Sequence, residues 1–400
     1  MKSHIKVYTS SFLILSLAVC LIIYPDQSLE ASLRGLDMWW EIVFPSLLPF
    51  FITAELLIGF GVVKFIGILF EPLMRPVFRV SGVGGFVWAM GMASGYPSGA
   101  KITARLRQEE QISRIEAERL VSFTNASNPL FIFGAVSVGF FHDPKLGLLL
   151  AVSHYGANAF VGFFMRFYGR KEENNDQNNK SSHFSLKRAL LAMYDTQKEE
   201  KRGFGKILGD AVLSSVHTLL MIGGFIIMFS VFNKLLFLVN ITPFIAEMLN
   251  VLMDLIGLPH DLSIPFISGI FEITLGSQMI SLAQNVSILE QIIVVSFILG
   301  FNGLSVQAQV ASILGETDIR FKPYFIGRLI HGFFASVLSV LLFVPLYVNR
   351  QAISSDEIAV QMSFGDRSID WLHLISSWGP FITLIALTLA IFIQLKRWIS

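Results

Sequence analysis

The chain carries little charge and almost no cysteine. Only 15 % of its 400 residues are Asp, Glu, Lys or Arg, where a soluble domain carries about a quarter. That excludes the two or three soluble domains ordinarily expected at this length. Disorder is excluded too, because 53 % of the residues are hydrophobic and 37 are Phe, ample apolar material for a packed interior. One cysteine, Cys20, rules out a disulfide framework and a thiolate metal site. A net charge of +1 argues against a nucleic-acid partner. There is no His-Glu-x-x-His and no phosphate-binding Gly-x-x-x-x-Gly-Lys-Ser/Thr. Gly95-Tyr96-Pro97-Ser98-Gly99 is not a nucleophile elbow. The chain therefore reads as neither an enzyme nor an ATP-driven pump, and no cofactor or metal is expected. What it does have is long apolar runs, with a mean hydropathy of +0.63. It is an all-α polytopic membrane protein.

A bilayer core about 30 Å thick needs roughly 20 apolar helical residues. Eight stretches qualify: 9–24, 39–60, 121–140, 145–168, 211–239, 292–314, 325–348 and 380–395. The first resembles a signal peptide, but Tyr24-Pro25-Asp26 offers no small-residue cleavage site, so a retained helix is expected. Lys2, Lys6 and the basic loop from Gly169 to Lys206 set both termini on the cytoplasmic side. With eight crossings, only Arg34, Lys145, Lys234, Arg350 and Arg367 of the 30 basic residues fall outside, leaving 30 − 5 = 25 inside.

The two halves of the chain repeat. At a constant offset of 174, Ser113–Leu130 and Ser287–Leu304 share seven residues of 18, among them Ser113/Ser287, Glu116/Glu290 and Asn128/Asn302. Each copy opens with Ser-x-x-Glu, a capping box that starts a helix. Each half reads as a span, an amphipathic interfacial piece, a Gly-interrupted apolar hairpin, the matched helix and a further span. Three crossings per half is an odd number, so the second half is expected to be inverted. Inverted repeats with interrupted helices mark secondary transporters, because non-helical backbone at membrane depth must line a cavity or be buried in protein. The expected layout is an N-terminal transmembrane helix and outer loop (1–36), a first repeat (37–168) with a re-entrant hairpin near 83–104, and a polar cytoplasmic loop (169–206). A second repeat (207–348) follows, with a hairpin near 262–285, then an outer loop (349–378) and a C-terminal transmembrane helix (379–400).

Polar groups inside a bilayer are costly and mark function by default. Glu272 interrupts an apolar hairpin beside Thr274, Ser277 and Gln278; the alternative is a helix-terminal carboxylate reaching the outer interface. Asn128 and Asn302 are duplicated amides where Asn is a poor helix former; they read as an unwound coordinating turn or as an interhelical hydrogen bond. Asn125 flanks the first, and Ser305, Gln307 and Gln309 follow the second. In the first hairpin, Ser98 and Lys101 join Pro97 at the mirrored position. Its glycines also suit close helix packing, and Lys101 and Arg105 suit simple anchoring at the cytoplasmic edge. The candidate substrate contacts are Glu272, Thr274, Asn302, Ser305, Ser98 and Asn128, and the candidate path residues are Asn125, Ser277, Gln278, Gln307 and Lys101. Glu55, His154, His217 and His331 suit proton relay, although for a lone intramembrane His the reading is a side chain hydrogen-bonded across helices.

Gly95–Lys101 (GYPSGAK), Ser122–Val136 (SFTNASNPLFIFGAV) and Phe271–Gln278 (FEITLGSQ) together resemble nucleoside-recognition Gate-domain proteins, in particular the sporulation integral membrane proteins of that family. The resemblance covers roughly residues 5–395. Leu299–Ser305 (LGFNGLS) and Glu272-x-Thr274 are also similar to the second-half signatures of concentrative nucleoside transporters. There the hairpin Glu and the Asn and Ser of the next helix contact the nucleoside, which points to Glu272, Asn302 and Ser305. The first hairpin departs from that pattern, with Tyr96-Pro97-Ser98-Gly99 in place of polar nucleobase-contacting side chains. The resemblance implies inverted halves, each with an interfacial helix and a re-entrant hairpin. It also implies a sporulation role, in which dipicolinic acid made by the mother cell crosses the outer forespore membrane. The expected partners are a small anionic substrate and the lipid bilayer of a bacterial cell membrane. A homo-oligomer is allowed, and sodium and proton both stay open as the coupling ion. The rivals are an ion-coupled nucleoside transporter and a non-transporting membrane scaffold for spore assembly.

Overall fold

Long apolar runs leave the backbone no partner but itself, and every regular element among the described residues is helical. The structure, a computed structural model, describes residues 2–170, 185–200 and 202–349. The expected outer loop beyond residue 349, the C-terminal span and residues 171–184 of the polar loop lie outside them.

Helix α1 (Lys2–Ile23) stops before Pro25, which opens α2 (Pro25–Met38), its ring being suited to the first helical position; the chain turns there by 103°. A π-helical turn, Trp39–Val43, carries α2 into α3 (Phe44–Gly59). Gly61, at φ 72°, then starts α4 (Val62–Phe78), a left-handed conformation that glycine adopts freely. Next come α5 (Val83–Ser94) and α6 (Ser98–Gln108), which fold back on each other about Gly95-Tyr96-Pro97. α7 (Arg114–Thr124) ends at a break, residues 125–129, followed by a π-helical stretch, Leu130–Phe140. α8 (Leu146–Met165) and the polar α9 (Leu186–Glu199) complete this half.

The second half repeats the order. α10 (Phe204–Leu238) is followed by the amphipathic α11 (Ile241–Ile256), a hairpin of α12 (Ser263–Phe271) and α13 (Ile273–Ser281), and α14 (Ile288–Phe301). α15 (Gly303–Leu314) continues α14 after a one-residue break at Asn302, φ 78°, and α16 (Phe321–Phe343) closes the half. Both capping boxes are complete, Ser113 with Glu116 and Ser287 with Glu290. The offset of 174 also sets Ser98 on Glu272, so the hairpin turns correspond as the helix breaks do. Among the described residues, four helices are long and apolar enough to cross a membrane, or up to six when each sharply bent pair counts as one span. Of the eight expected, 121–140 is divided by the break and 380–395 lies outside the described residues.

One apolar core draws on both halves, including Phe86, Phe123 and Leu149 from the first and Ile298, Leu299 and Tyr324 from the second. Where α14 meets α16 the backbones nearly touch: a Cβ on Gly300 would stand 2.7 Å from Cα and N of Gly332. Small residues allow such approach, and without a hydrophobic drive in lipid it is packing that associates the helices. Charged pairs join the halves at one end. Arg107 grips Asp318 with two bonds of 2.8 Å, and buried Glu118 accepts from Arg320 at 2.8 and 3.0 Å.

Two predictions follow from these contacts. Gly300→Ala forces backbone against backbone and should cost about 1–3 kcal/mol, whereas Gly224→Ala, with nothing within 4 Å, should be neutral or slightly stabilising; thermal unfolding in detergent separates them. The Arg107 guanidinium holds the Asp318 carboxyl below its ordinary 3.8, so this pair's stabilisation is complete above that value. It disappears as pH falls through the lower folded-state value. The Tm difference between Asp318→Asn and wild type should therefore shrink on acidification to that range.

Candidate functional site

The two helix breaks leave carbonyls and amides without intrahelical partners in an apolar interior, where each unpaired group would cost on the order of several kcal/mol. Side chains from the other elements meet them. At the end of α14, Tyr96 donates its hydroxyl to the Leu299 carbonyl at 2.6 Å and Gln307 donates to Phe301 at 3.1 Å. The Asn302 amide nitrogen reaches the carbonyls of Gly300 and Leu299 at 3.0 and 3.2 Å while its oxygen accepts from the Tyr324 hydroxyl at 3.0 Å. The same hydroxyl oxygen accepts from Asn125 at 3.0 Å. One phenol thus ties the breaks of both halves together.

The first break is longer and needs more partners. Arg328, fully buried, donates to the carbonyl of Asn125 at 2.6 Å and to that of Ser122. It lies 2.9 Å from His331 Nδ1, while His331 Nε2 donates to the His154 carbonyl at 2.8 Å. His154 Nε2 accepts from the Ser127 amide at 3.0 Å, and Tyr155 donates to the Ser127 carbonyl at 2.9 Å. Asn128 spans the turn: its oxygen accepts from Phe131 N at 2.7 Å and its nitrogen donates to the Ser94 carbonyl at 3.1 Å.

Hairpin turns and breaks together enclose a cavity of about 580 Å3, within the range of about 300–1,000 Å3 that holds small ligands. Its polar wall comprises Glu41, Tyr96, Ser127, Asn128, Glu272, Thr274, Ser305 and Gln309, and Phe131, Ile222 and Ile226 are among the apolar residues that complete it. Glu272 is the N-cap of α13, accepting from Thr274 N at 3.1 Å and Leu275 N at 2.7 Å. A carboxylate there faces the positive end of the helix dipole. Among the described residues, no Lys or Arg lines this cavity.

Of the six candidate contacts, Glu272, Thr274, Ser305 and Asn128 share this wall. Asn302 stands behind it, fully buried against Tyr324. Ser98 opens α6, donates to the Gly95 carbonyl and borders a separate narrow gap. Among the path candidates, Asn125 holds Tyr324, Gln307 caps α14, and Ser277 bonds back to Ile273 within its own helix at 2.7 Å. Gln278 is exposed away from the wall, and Lys101 sits 3.3 Å from Glu55. Sequence reading missed Glu41, Tyr96 and Arg328. Arg328 was counted with the cytoplasmic cations, since it lies close to the start of its span; its position one α-helical turn beyond Tyr324 is the signal that places it inside.

Fold and cavity define a helical membrane protein in which two similar halves bring broken helices and hairpin turns to one cavity. The profile of the Gate family, described as nucleoside recognition, matches residues 40–141 and again 219–318. The chain belongs to this family. It is 56 % identical over 395 residues to the sporulation integral membrane protein YlbJ of Bacillus subtilis (strain 168), covering 96 % of this chain and 95 % of that protein. No solved structure matches the chain.

Tyr324→Phe deletes the hydroxyl shared by Asn125 and Asn302. Leaving buried amides without their partner should cost about 1–3 kcal/mol, read as a lowered Tm. An unchanged Tm would show that the breaks are held without it.

Proposed function

We propose that the protein is a secondary transporter of a small organic anion in sporulation, carrying dipicolinic acid from the mother cell across the outer forespore membrane. The observation that carries this reading is the cavity where two hairpin turns and two helix breaks meet, the arrangement in which interrupted helices of transporters hold their cargo. The sporulation role rests on the identity to YlbJ, and the ligand class on the cavity's size and polar wall. The second half is inverted relative to the first, and alternating access moves hairpin elements against the rest.

The wall's charge sets a condition. Glu41 and Glu272 both line the cavity, Arg34 acts on Glu272 only through space, and like charges repel strongly where water is scarce. A dicarboxylate therefore travels with a cation, proton or sodium, that offsets these carboxylates. The helix N-termini of α13 and α15 at the turns add partial positive charge. The same acidic wall favours a second reading, uptake of an uncharged nucleoside with a coupling cation, in line with the family's description.

Purified protein in liposomes should exchange labelled dipicolinate, and collapse of the proton or sodium gradient should reduce net flux. Glu272→Gln and Asn128→Ala should each lower flux by about tenfold or more, the loss of roughly 1.4 kcal/mol of binding or transition-state stabilisation. Sodium-dependent uridine uptake without dipicolinate flux would replace this reading with the second.

A further inference from the structure

Helices α3 and α10 line more than the central cavity, and α6 continues from a turn in its wall. Leu47 of α3, Ile222 of α10 and the Tyr96 turn before α6 belong to its wall. Further along the same helices is a second cavity of about 290 Å3, lined by Lys64, Arg105, Arg202, Asp210 and Glu55 among others. From Leu47 to Glu55, α3 rises about 12 Å. Between the two levels lies a void of only about 10 Å3 bordered by Phe51, Glu55, Ser98 and Lys101, at the lower limit for one water.

The obstruction is ionic. Lys101 Nζ stands 3.3 Å from Glu55 Oε1 and donates to the Ser214 carbonyl at 3.4 Å. Ser214 Oγ donates to the same Glu55 oxygen at 3.0 Å. Phe51, buried, presents its ring 5.1 Å from the ammonium. Lys101 and Glu55 are only 16 % and 14 % exposed. An apolar plug would close such a gap more stably, since a half-buried ion pair must offset its own desolvation. Charge at a closure between two cavities serves a pathway that opens to a charged solute.

We propose that Lys101 and Glu55 form an ion-exchange gate: a substrate carboxylate arriving from the charged cavity displaces Glu55 from Lys101, and α6 releases α3 and α10. The carboxylate's identity rests on the anion-transport reading; the closure does not.

The test uses the full-length chain with Cys20→Ala, so that a reporter cysteine is alone, and Ala135→Cys on the central cavity wall. A membrane-impermeant cationic methanethiosulfonate is applied in oriented vesicles from the side of the charged cavity. With the gate intact, labelling should be slow. Lys101→Met or Glu55→Gln should speed it by about tenfold or more, and the double exchange Lys101→Glu with Glu55→Lys should restore slow labelling. Dipicolinate should speed labelling with the native pair but not with Lys101→Met. Unchanged rates in both single variants, while the protein stays monodisperse, would overturn the gate. Transport of dipicolinate without any acceleration of labelling would overturn the exchange step. Absence of dipicolinate flux alongside the expected variant pattern would instead remove the substrate reading and leave the gate standing.

Discussion

The structure depends on satisfying backbone groups where two helices break away from water. Breaking a helix exposes carbonyls that lipid cannot solvate, so each break exists only because side chains supply its bonds. Tyr324 is central because its hydroxyl accepts from Asn125 and donates to Asn302, making the breaks in the two halves interdependent. A change at either turn is then felt at the other through one oxygen. This is how two similar modules share the central cavity between them.

Arg328 shows the same constraint acting on charge. No carboxylate lies within ion-pair distance of it among the described residues, and its guanidinium is spent on carbonyls at the end of α7. Those carbonyls carry the negative end of a helix dipole, which offsets a cation at a position where water is absent. The positive charge therefore stands one layer behind a wall whose own side chains are acidic. A carboxylate-bearing solute meets mixed rather than simply positive surroundings, which is why a counter-cation enters the transport reading.

Much of this was legible in the sequence because it is local. Ser-x-x-Glu at two places separated by 174 residues marks two helix starts, and Asn beside Pro or Gly marks the breaks. Both patterns rest on backbone chemistry that a single chain displays. The scatter of the candidate residues was not legible, since it depends on which face each helix turns inward. Asn302 supports the wall and Asn128 forms part of it, although they occupy equivalent positions. Arg328 was hidden for a related reason: a rule that counts cations by loop treats one near the start of a span as an anchor, whereas only packing shows the carbonyls that hold it. Tyr96, beside Pro97, looked like turn chemistry, and its bond to Leu299 spans more than 200 residues of sequence.

Duplication supplies the scaffold, and departures from it supply the chemistry. At the shared offset, Ser98 of the first half stands where the second half has Glu272, and Lys101 where it has Leu275. One hairpin thus brings a carboxylate to the cavity, while the other brings an ammonium to the constriction beyond it. His154 and Arg328 are equivalent in the same way, yet both serve the first break, because that break spans five residues and the second only one. A perfectly symmetric pair would have needed identical partners at both breaks, and would have left no charge difference along the path. Asymmetric substitution within a common backbone sets the carboxylate of Glu272 at the cavity and the Lys101–Glu55 pair at the constriction.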